Sequence, residues 1–381
     1  MHSLKGLKVG IVCPFSFSYP GGVQEHVRSL YAFLKKKGLR PKILLPRQKS
    51  RENYGPDTYL LGGSFTLPAF GSKSCLSFAD GGQIQALIER EHFDLLHFHN
   101  PFAPFLSLQI LDSYSGISVA TLHASMRGGD SGVVPFLLDF LNLTTGPKIA
   151  RYLAVSSVAR EVLWKKYWAR TTIIPNGVDT RRFRPNAAPR EKLKDKYLNI
   201  LYVGRIDERK GLTYLLDAFK KVQNETAVPI RLLIAGTGEL EKLCRQKVKK
   251  EKIRNAVFLG YIKEAELAKV YAEADIFCSP AIFGESFGVV LLEAMASGLP
   301  VVAFANEGYR EVLTGPASRL AVKVKDVSAL CAALKEVVEN APLRQELREW
   351  GLREVREKYS WDKVGEQVLG VYREALAGGK R

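Results

Sequence analysis

The chain has 381 residues, 46% of them hydrophobic and 25% charged, so it reads as globular material too long for one hydrophobic core, and two domains are expected. No apolar run approaches the ~18–20 residues of a membrane span, and the start Met1-His2-Ser3-Leu4-Lys5 lacks a signal peptide's apolar core, which sets a cytoplasmic or peripheral location as the expectation. The net charge of +17 points to an acidic partner: lipid headgroups, nucleic acid or phosphorylated ligands.

Short β-rich runs alternate with amphipathic helical stretches from end to end, the pattern of a parallel α/β sheet. The first predicted strand is Lys8 to Cys13, followed by the turn Pro20-Gly21-Gly22 and a helix from Val23 to Lys37 that Gly38 stops. Lys35, Lys36, Lys37, Arg40, Lys42, Arg47, Lys49 and Arg51 then form a run of eight cations without an acid. It reads as a surface patch, although Lys35 to Lys37 also suit a helix C-terminus. Asp94 to His99 and Ile117 to His123 are strands that each end in a histidine. His97 and His99 alternate with Phe98 and so share one face; with no third ligand at metal spacing they are assigned to packing and hydrogen bonding. His123, at a strand's carboxyl end, is placed either for a substrate or for a structural role. Tyr152 to Val155 leads into Ser156 and a helix through Trp168.

After Ile173-Ile174-Pro175-Asn176-Gly177 the pattern restarts, with strands at Ile200 to Val203, Ile230 to Ala235, Val257 to Leu259, Ile276 to Ser279 and Val301 to Ala303, and a last helix from Asp362 to Ala377. Two doubly wound domains joined near residue 175 are expected. In such sheets ligands bind outside the carboxyl ends of the strands, and two facing sheets would put that site in a cleft between them. The five cysteines, Cys13, Cys75, Cys244, Cys278 and Cys331, are scattered and lack the spacing of a zinc site or disulfide framework.

Four stretches carry the chemistry of a bound diphosphate. In Gly204-Arg205-Ile206-Asp207-Glu208-Arg209-Lys210-Gly211, three cations follow a strand; an arginine fork and a lysine point charge suit two adjacent phosphates. Gly21-Gly22 opens a helix where bare backbone can approach an anion. Ala235-Gly236-Thr237-Gly238-Glu239 repeats the strand-turn-helix pattern and either lines the same site or is a tight loop. Phe283-Gly284-Glu285-Ser286-Phe287-Gly288 runs into an apolar helix, placing backbone N–H groups and a helix dipole beside a carboxylate. Glu285 and Glu293 are eight residues apart, roughly 12 Å on a helix. A glycosidase sets its two carboxyls about 5–9.5 Å apart across one bond, so these two are expected to hold different parts of one long ligand.

Glycine pair, strand-end histidine, Arg-plus-Lys loop and two glutamates with seven residues between them, in that order over the whole chain, resemble the retaining glycosyltransferases of the GT-B fold, family four. Cys13 to His26 and Gly284 to Gly288 are most similar to its phosphatidylinositol mannosyltransferases. The resemblance implies two facing Rossmann-like doubly wound parallel-sheet domains: an acceptor domain at 1–174, joined by the C-terminal helix 361–381, and a nucleotide-sugar domain at 175–360. It implies Arg205 and Lys210 on the donor diphosphate, Glu293 on the ribose, Glu285 with Ser286, Phe287 and Gly288 on the transferred sugar, His123 near its anomeric carbon, Gly22 at the β-phosphate and Gly236 in the donor site. Gln24 matches the position that meets the inositol headgroup, and Arg127 is the nearest cation after His123. The expected donor is GDP-mannose and the expected acceptor a lipid headgroup such as phosphatidylinositol, on the inner face of the cell membrane, with neither cofactor nor metal. A UDP-sugar donor with a soluble or other lipid-linked acceptor is the alternative. A nucleic-acid partner is not expected, because aromatics are not interleaved with the cations along one face. The chain departs from the family in three places: a loop one residue shorter between Arg205 and Lys210, Phe15 and Ser18 where a phenol and a carboxylate are usual, and a second helix, Gly82 to Arg90, that is not basic.

Overall fold

The structure is a computed structural model that describes residues 4–18, 21–48, 52–69, 72–103, 105–123, 133–185, 187 and 196–379. It divides into two compact units, residues 1–177 with 361–381, and 178–360. The strands of the first are β1 (Lys8–Val12), β2 (Arg40–Pro46), β3 (Thr58–Leu61), β4 (Gly63–Ala69), β5 (Ser72–Phe78), β6 (Leu95–His99), β7 (Ile117–Leu122), β8 (Arg151–Ala154) and β9 (Thr171–Ile173). Its helices are α1 (Gly22–Lys36), α2 (Gly81–Glu91), α3 (Leu106–Ser113), α4 (Val133–Thr145) and α5 (Ser157–Arg160), and the last helix of the chain returns to it. The second unit holds β10 (Leu198–Val203), α6 (Leu212–Glu225), β11 (Ile230–Ala235), α7 (Glu241–Lys250), β12 (Ala256–Gly260), α8 (Glu264–Tyr271), β13 (Ile276–Ser279), α9 (Val289–Ala296), β14 (Val301–Phe304), α10 (Glu307–Val312), β15 (Ala321–Val322), α11 (Val327–Glu339) and α12 (Ala341–Glu354). The returning helix is α13 (Trp361–Ala377).

Both main sheets are parallel, as the sequence pattern predicts. The first runs β3-β2-β1-β6-β7-β8-β9 and the second β12-β11-β10-β13-β14-β15. The strand order reverses beside β1 and β6 in one and beside β10 and β13 in the other; a doubly wound sheet opens a crevice for ligands at such a reversal. β4 and β5 form a separate antiparallel hairpin.

Sequence reading overlooked β2, β3, the hairpin, β9 and β15. β2 hides inside the cationic run: Ile43, Leu44 and Leu45 are buried, and charges at its ends mask the strand. β9 and β15 have three and two residues, too few to show a period. The helix expected from Ser156 to Trp168 is α5 plus a separate 3₁₀ turn at Lys165–Arg170.

α13 packs on α1 in the first unit. Val364, Val368, Leu369, Val371, Tyr372 and Ala375 join Val27, Leu30, Phe33 and Leu34 in one core. Gly365 permits the close approach, since a Cβ there would sit 2.4 Å from Cε1 of Phe33. Burying each such Val, Leu or Phe side chain contributes about 1.5–3 kcal/mol. Where the chain enters and leaves the second unit, the Val178 N–H donates to the Tyr359 carbonyl at 2.8 Å beside a single π-helical turn, Val355–Tyr359. Among the described residues, Cys13, Cys244, Cys278 and Cys331 are buried free thiols; burial pushes Cys13 to about 12 and Cys244 to about 11.

Candidate functional site

In the second unit, the two strands beside the reversal each release a loop that carries chemistry. After β10, Gly204 turns the chain and Asp207 caps the next turn, its Oδ1 accepting from the Lys210 N–H at 3.0 Å. Gly211 then takes φ +66°, where a Cβ would lie 2.1 Å from the Pro280 carbonyl oxygen. This folding brings the Lys210 ammonium 2.6 Å from Glu285 Oε1, in the loop after β13. Both side chains are mostly shielded, at 15% and 12% exposed, so the pair is pre-set rather than a solvated surface contact. Arg205 is half exposed and pairs with Asp207 at 3.0 Å.

The shorter loop therefore leaves Lys210, and not Arg209, facing Glu285. Arg209 acts on the backbone instead, its Nη1 donating to the Gly284 carbonyl at 3.0 Å and holding the second loop in place. That contact was not foreseen, and no residue spacing signals it. Gly236, at φ +143°, presses against the first loop, since a Cβ would meet the Gly204 carbonyl oxygen at 1.8 Å. Of the two readings open for this turn, its backbone serves at least to pack the Gly204 loop.

Glu285 lies in the turn before α9, which starts at Val289 with Gly288 as its N-cap at φ +108°. Only Glu293 is on the helix, so the spacing of a continuous helix does not apply between them. Glu293 is buried and accepts the Tyr271 hydroxyl at 2.8 Å. Burial, then the neighbouring carboxylate, hold Tyr271 well above its ordinary pKa, so it remains a phenol donor. Gly308, at the start of α10, backs the turn, with room for no Cβ beside the Glu285 carbonyl at 2.3 Å and the Phe287 N–H at 2.6 Å.

In the first unit, His97 and His99 at the end of β6 meet His123, which follows β7, and His26 of α1. The His99 and His123 rings are joined by a 2.9 Å hydrogen bond from Nδ1 to Nε2, and His26 lies edge-on to His123 at 4.7 Å between centroids. His26 Nδ1 is 2.9 Å from Asn176 Oδ1, and His97 bridges Tyr372 of α13 and Thr121, each at 2.7 Å. His97 and His99 do share one face, in packing and hydrogen-bonding roles. His26 and its approach to the other two, which puts ring nitrogens of His26, His99 and His123 within 4.8 Å of one another, were not anticipated, because the helix crossing that brings them together has no local signature. Burial lowers His26 to about 4 and His97 to about 3, and holds His99 and His123 well below the usual range, so all four rings are neutral at pH 7. The His123 N–H donates to Asn100 Oδ1 at 2.9 Å; Asn100 adopts φ +50°, a conformation asparagine tolerates.

Gly22 is the first residue of α1, and Gln24 turns back so that its Nε2 reaches the Ser16 carbonyl at 3.4 Å. Arg127, Lys49 and Arg51 lie outside the described residues. Although Ser18 stands where the family has a carboxylate, the structure brings a carboxylate and a phenol to it from elsewhere. Its hydroxyl bonds Glu52 and lies 3.2 Å from the Tyr54 hydroxyl. Four cations of the run are paired with acids. Lys35 and Lys42 both pair with Asp57, at 3.1 and 2.7 Å, Lys36 pairs with Asp362 at 2.8 Å, and Lys37 pairs with Glu366. The neutralising acids come from β3's leading turn, just beyond the run, and from α13, more than 300 residues on.

Known proteins resemble the chain over its whole length. The family model described as Glycosyltransferase Family 4 matches residues 20–182, and that described as Glycosyl transferases group 1 matches residues 183–353. A phosphatidyl-myo-inositol mannosyltransferase of Mycobacterium leprae is 33% identical, covering 98% of this chain and 99% of the relative. A GDP-mannose-dependent monoacylated alpha-(1-6)-phosphatidylinositol monomannoside mannosyltransferase of Corynebacterium glutamicum is 33% identical over 52% of this chain and 55% of its own length. Among solved structures, a sucrose-phosphate synthase of Thermosynechococcus elongatus superposes with a TM-score of 0.78 at 20% identity, covering 98% of this chain and all of the other.

Proposed function

We propose that this chain, which belongs to the glycosyltransferase family of those two domain types, transfers mannose from GDP-mannose to a hydroxyl of the inositol headgroup of phosphatidylinositol at the inner face of the cell membrane. The observation that carries it is the convergence of Lys210 and Glu285 at 2.6 Å from the two loops beside the sheet's reversal, the place where an α/β sheet takes a nucleotide. Full-length likeness to a phosphatidyl-myo-inositol mannosyltransferase supports the acceptor, and the GDP-mannose dependence stated for the Corynebacterium relative supports the donor.

The second unit binds the donor: Arg205 and Lys210 on the diphosphate, Glu293, steadied by Tyr271, on the ribose, and Glu285 with the N–H groups of Ser286, Phe287 and Gly288 on the sugar. Gly236 holds the diphosphate loop. From the first unit, His123 meets the sugar, Gly22 the β-phosphate, and Gln24 with Arg127 the acceptor. Retention follows front-face attack. The bond from the anomeric carbon to the β-phosphate oxygen breaks, the bond to the acceptor oxygen forms on the same face, and the acceptor proton passes to the leaving phosphate. Two fixed cations take the place of a metal and stabilise the developing negative charge. The net positive charge serves a lipid surface rather than nucleic acid.

A UDP-sugar donor with another acceptor is the second reading; Phe15 and Ser18, on the acceptor side, bear on its acceptor and not on its donor. Thermal stabilisation separates the donors, because a ligand at 100 times its Kd adds about 2.7 kcal/mol to stability. GDP-mannose is expected to raise Tm and UDP-glucose, UDP-galactose and UDP-N-acetylglucosamine to leave it unchanged, with radiolabelled mannose appearing in phosphatidylinositol. Stabilisation by a UDP-sugar alone would transfer the assignment to the second reading.

A further inference from the structure

A surface helix ordinarily turns its apolar stripe inward and its polar face to water. α4 departs from this, turning large apolar side chains outward. Its inner side buries Leu141, Asn142 and Thr145, while Phe136, Leu137, Phe140 and Leu143 stand outward at 79%, 40%, 55% and 56% exposed. These four form one ridge at positions i, i+1, i+4 and i+7, and Asp139 is the helix's one charged residue. Apolar side chains clustered in this way mark a surface that meets another phase or molecule.

What flanks the ridge defines that partner. The segment Val162–Arg170 is pinned to α4 by Asn142, which is fully buried. Asn142 Nδ2 donates to the Val162 carbonyl and its Oδ1 accepts from the Trp164 N–H, both at 3.0 Å, while its main-chain carbonyl takes the Tyr167 hydroxyl at 3.0 Å. Trp164 Nε1 donates to Asp139 Oδ1 at 2.6 Å, which ties the indole to the helix and occupies its one acid. From Val162 to Val178 the sequence has Lys165, Lys166 and Arg170 and no acidic residue. Lys165 and Lys166 are exposed and in no ion pair with a described residue, and the Lys166 ammonium stands 4.4 Å above the Trp164 ring. Phe and Leu facing outward, with amphipathic indoles and unneutralised cations at the rim, is the composition of an element lying in a lipid interface. A protein partner would be expected to meet the ridge with apolar groups but gives no reason for the cationic, tryptophan-bearing border. No described helix is long and apolar enough to cross a membrane.

We propose that the outward face of α4, bordered by Trp164–Arg170, seats this protein on an anionic lipid bilayer, with Phe136, Leu137, Phe140 and Leu143 entering the headgroup and acyl boundary. The inference rests on a lipid acceptor and supplies what that reading lacked once Lys35, Lys36, Lys37 and Lys42 proved to be paired with acids.

Sedimentation of the full chain with phosphatidylcholine vesicles, with and without phosphatidylglycerol, tests it. The wild type is expected to bind the anionic vesicles, less so at high salt because screening shortens the reach of Lys165 and Lys166 to about 8 Å or less. Phe136→Ser with Phe140→Ser should cut vesicle partitioning at least about tenfold, equivalent to ~1.4 kcal/mol. Lys165→Ser with Lys166→Ser should weaken binding to anionic vesicles only, and Lys36→Ser with Lys37→Ser should change nothing. Transfer to water-soluble glycerophosphoinositol should survive in the apolar double variant while transfer to vesicle-embedded lipid falls. Should that variant not fold, the Phe140→Trp protein decides instead: brominated lipid quenches its fluorescence more than it quenches the wild type's. An apolar variant that binds vesicles as well as the wild type, or added indole fluorescence that bromolipid ignores, overturns the proposal. So does a wild-type dimer that the variant dissociates, since the ridge then meets a second copy. If neither inositol acceptor is used while the variant still loses vesicle binding, the acceptor assignment fails and the docking surface stands.

Discussion

His99 and His123 share one proton's worth of information. Nε2 of His99 is buried without a hydrogen-bond partner, so placing its proton on Nδ1 makes the bond to His123 and leaves only a lone pair behind; the opposite choice strands an N–H donor in the core. Nε2 of His123 is then an acceptor, and the neutral ring carries its own proton on Nδ1, where it donates and cannot act as a base. Long-range ¹H–¹⁵N spectra are expected to report the Nδ1–H form for both rings. His99→Leu should lower kcat by about tenfold, roughly 1.4 kcal/mol, with little change in KM, and His99→Gln, whose amide can still donate, should restore most of it. Nε2–H forms in the spectra would refute the assignment. In the second unit, Lys210→Ala is expected to reduce kcat about 10²–10³-fold, the usual loss when a preorganised charge at a leaving group is removed. A variant keeping more than about a third of wild-type turnover, a deficit of only ~0.6 kcal/mol, would mean that Lys210 serves Glu285 alone. Ser18 supplies a third test: with its hydroxyl on Glu52 and near Tyr54, Glu52→Gln should raise KM for the acceptor and leave donor affinity unchanged in calorimetry.

At the scale of elements, the sequence announced those that carry their own punctuation. β1, β6, β7, β10, β11 and β13 are mostly apolar runs, all but β1 end in or run straight into Gly, His or Ser, and the loops after β10, β11 and β13 carry glycines at positive φ. Elements whose identity comes from neighbours stayed hidden: β2 is flanked by charges, and Asp57, Asp362 and Glu366 neutralise the cations around it only because β3 and α13 lie alongside. The meeting of the four histidines was illegible for the same reason, since α1, β6, β7 and α13 contribute to it from positions 26 to 372. That junction has a pH dependence. Folding lowers these pKa values below the unfolded histidine value of ~6.5, so the unfolded chain takes up more protons as pH falls. Stability is therefore whole above about pH 6.5 and declines toward pH 4, where His26 itself begins to charge, by about 1.4 kcal/mol per pH unit for each neutral ring. Denaturant melts between pH 7 and pH 4 should show this slope, and His26→Gln should make it shallower by one proton. An unchanged slope would mean that the rings ionise in place.

For the whole molecule, the division into units is a division of sequence as well as of space. Residues 178–360 are one uninterrupted stretch, whereas the other unit needs 1–177 and also 361–381. Removing residues 361–381 takes Val364, Val368, Leu369, Val371, Tyr372 and Ala375 out of a core shared with α1, and also the hydroxyl that His97 binds. A chain ending at Ser360 is expected to keep a cooperative melt from the second unit alone and to lose protection from hydrogen exchange across β1, β6 and β7. Retained protection there would show that α13 is an ornament on a core already complete.

The return of α13 also sets a timetable for synthesis. As the chain leaves the ribosome, its second half has everything it requires once Ser360 has emerged, while the half made first waits for the last 21 residues. At about 5–20 residues per second, the sheet that begins at Lys8 stays open for tens of seconds, with the face awaiting α13 exposed. The amino-terminal half is therefore the later of the two to mature, and the one a holding chaperone would be expected to grip.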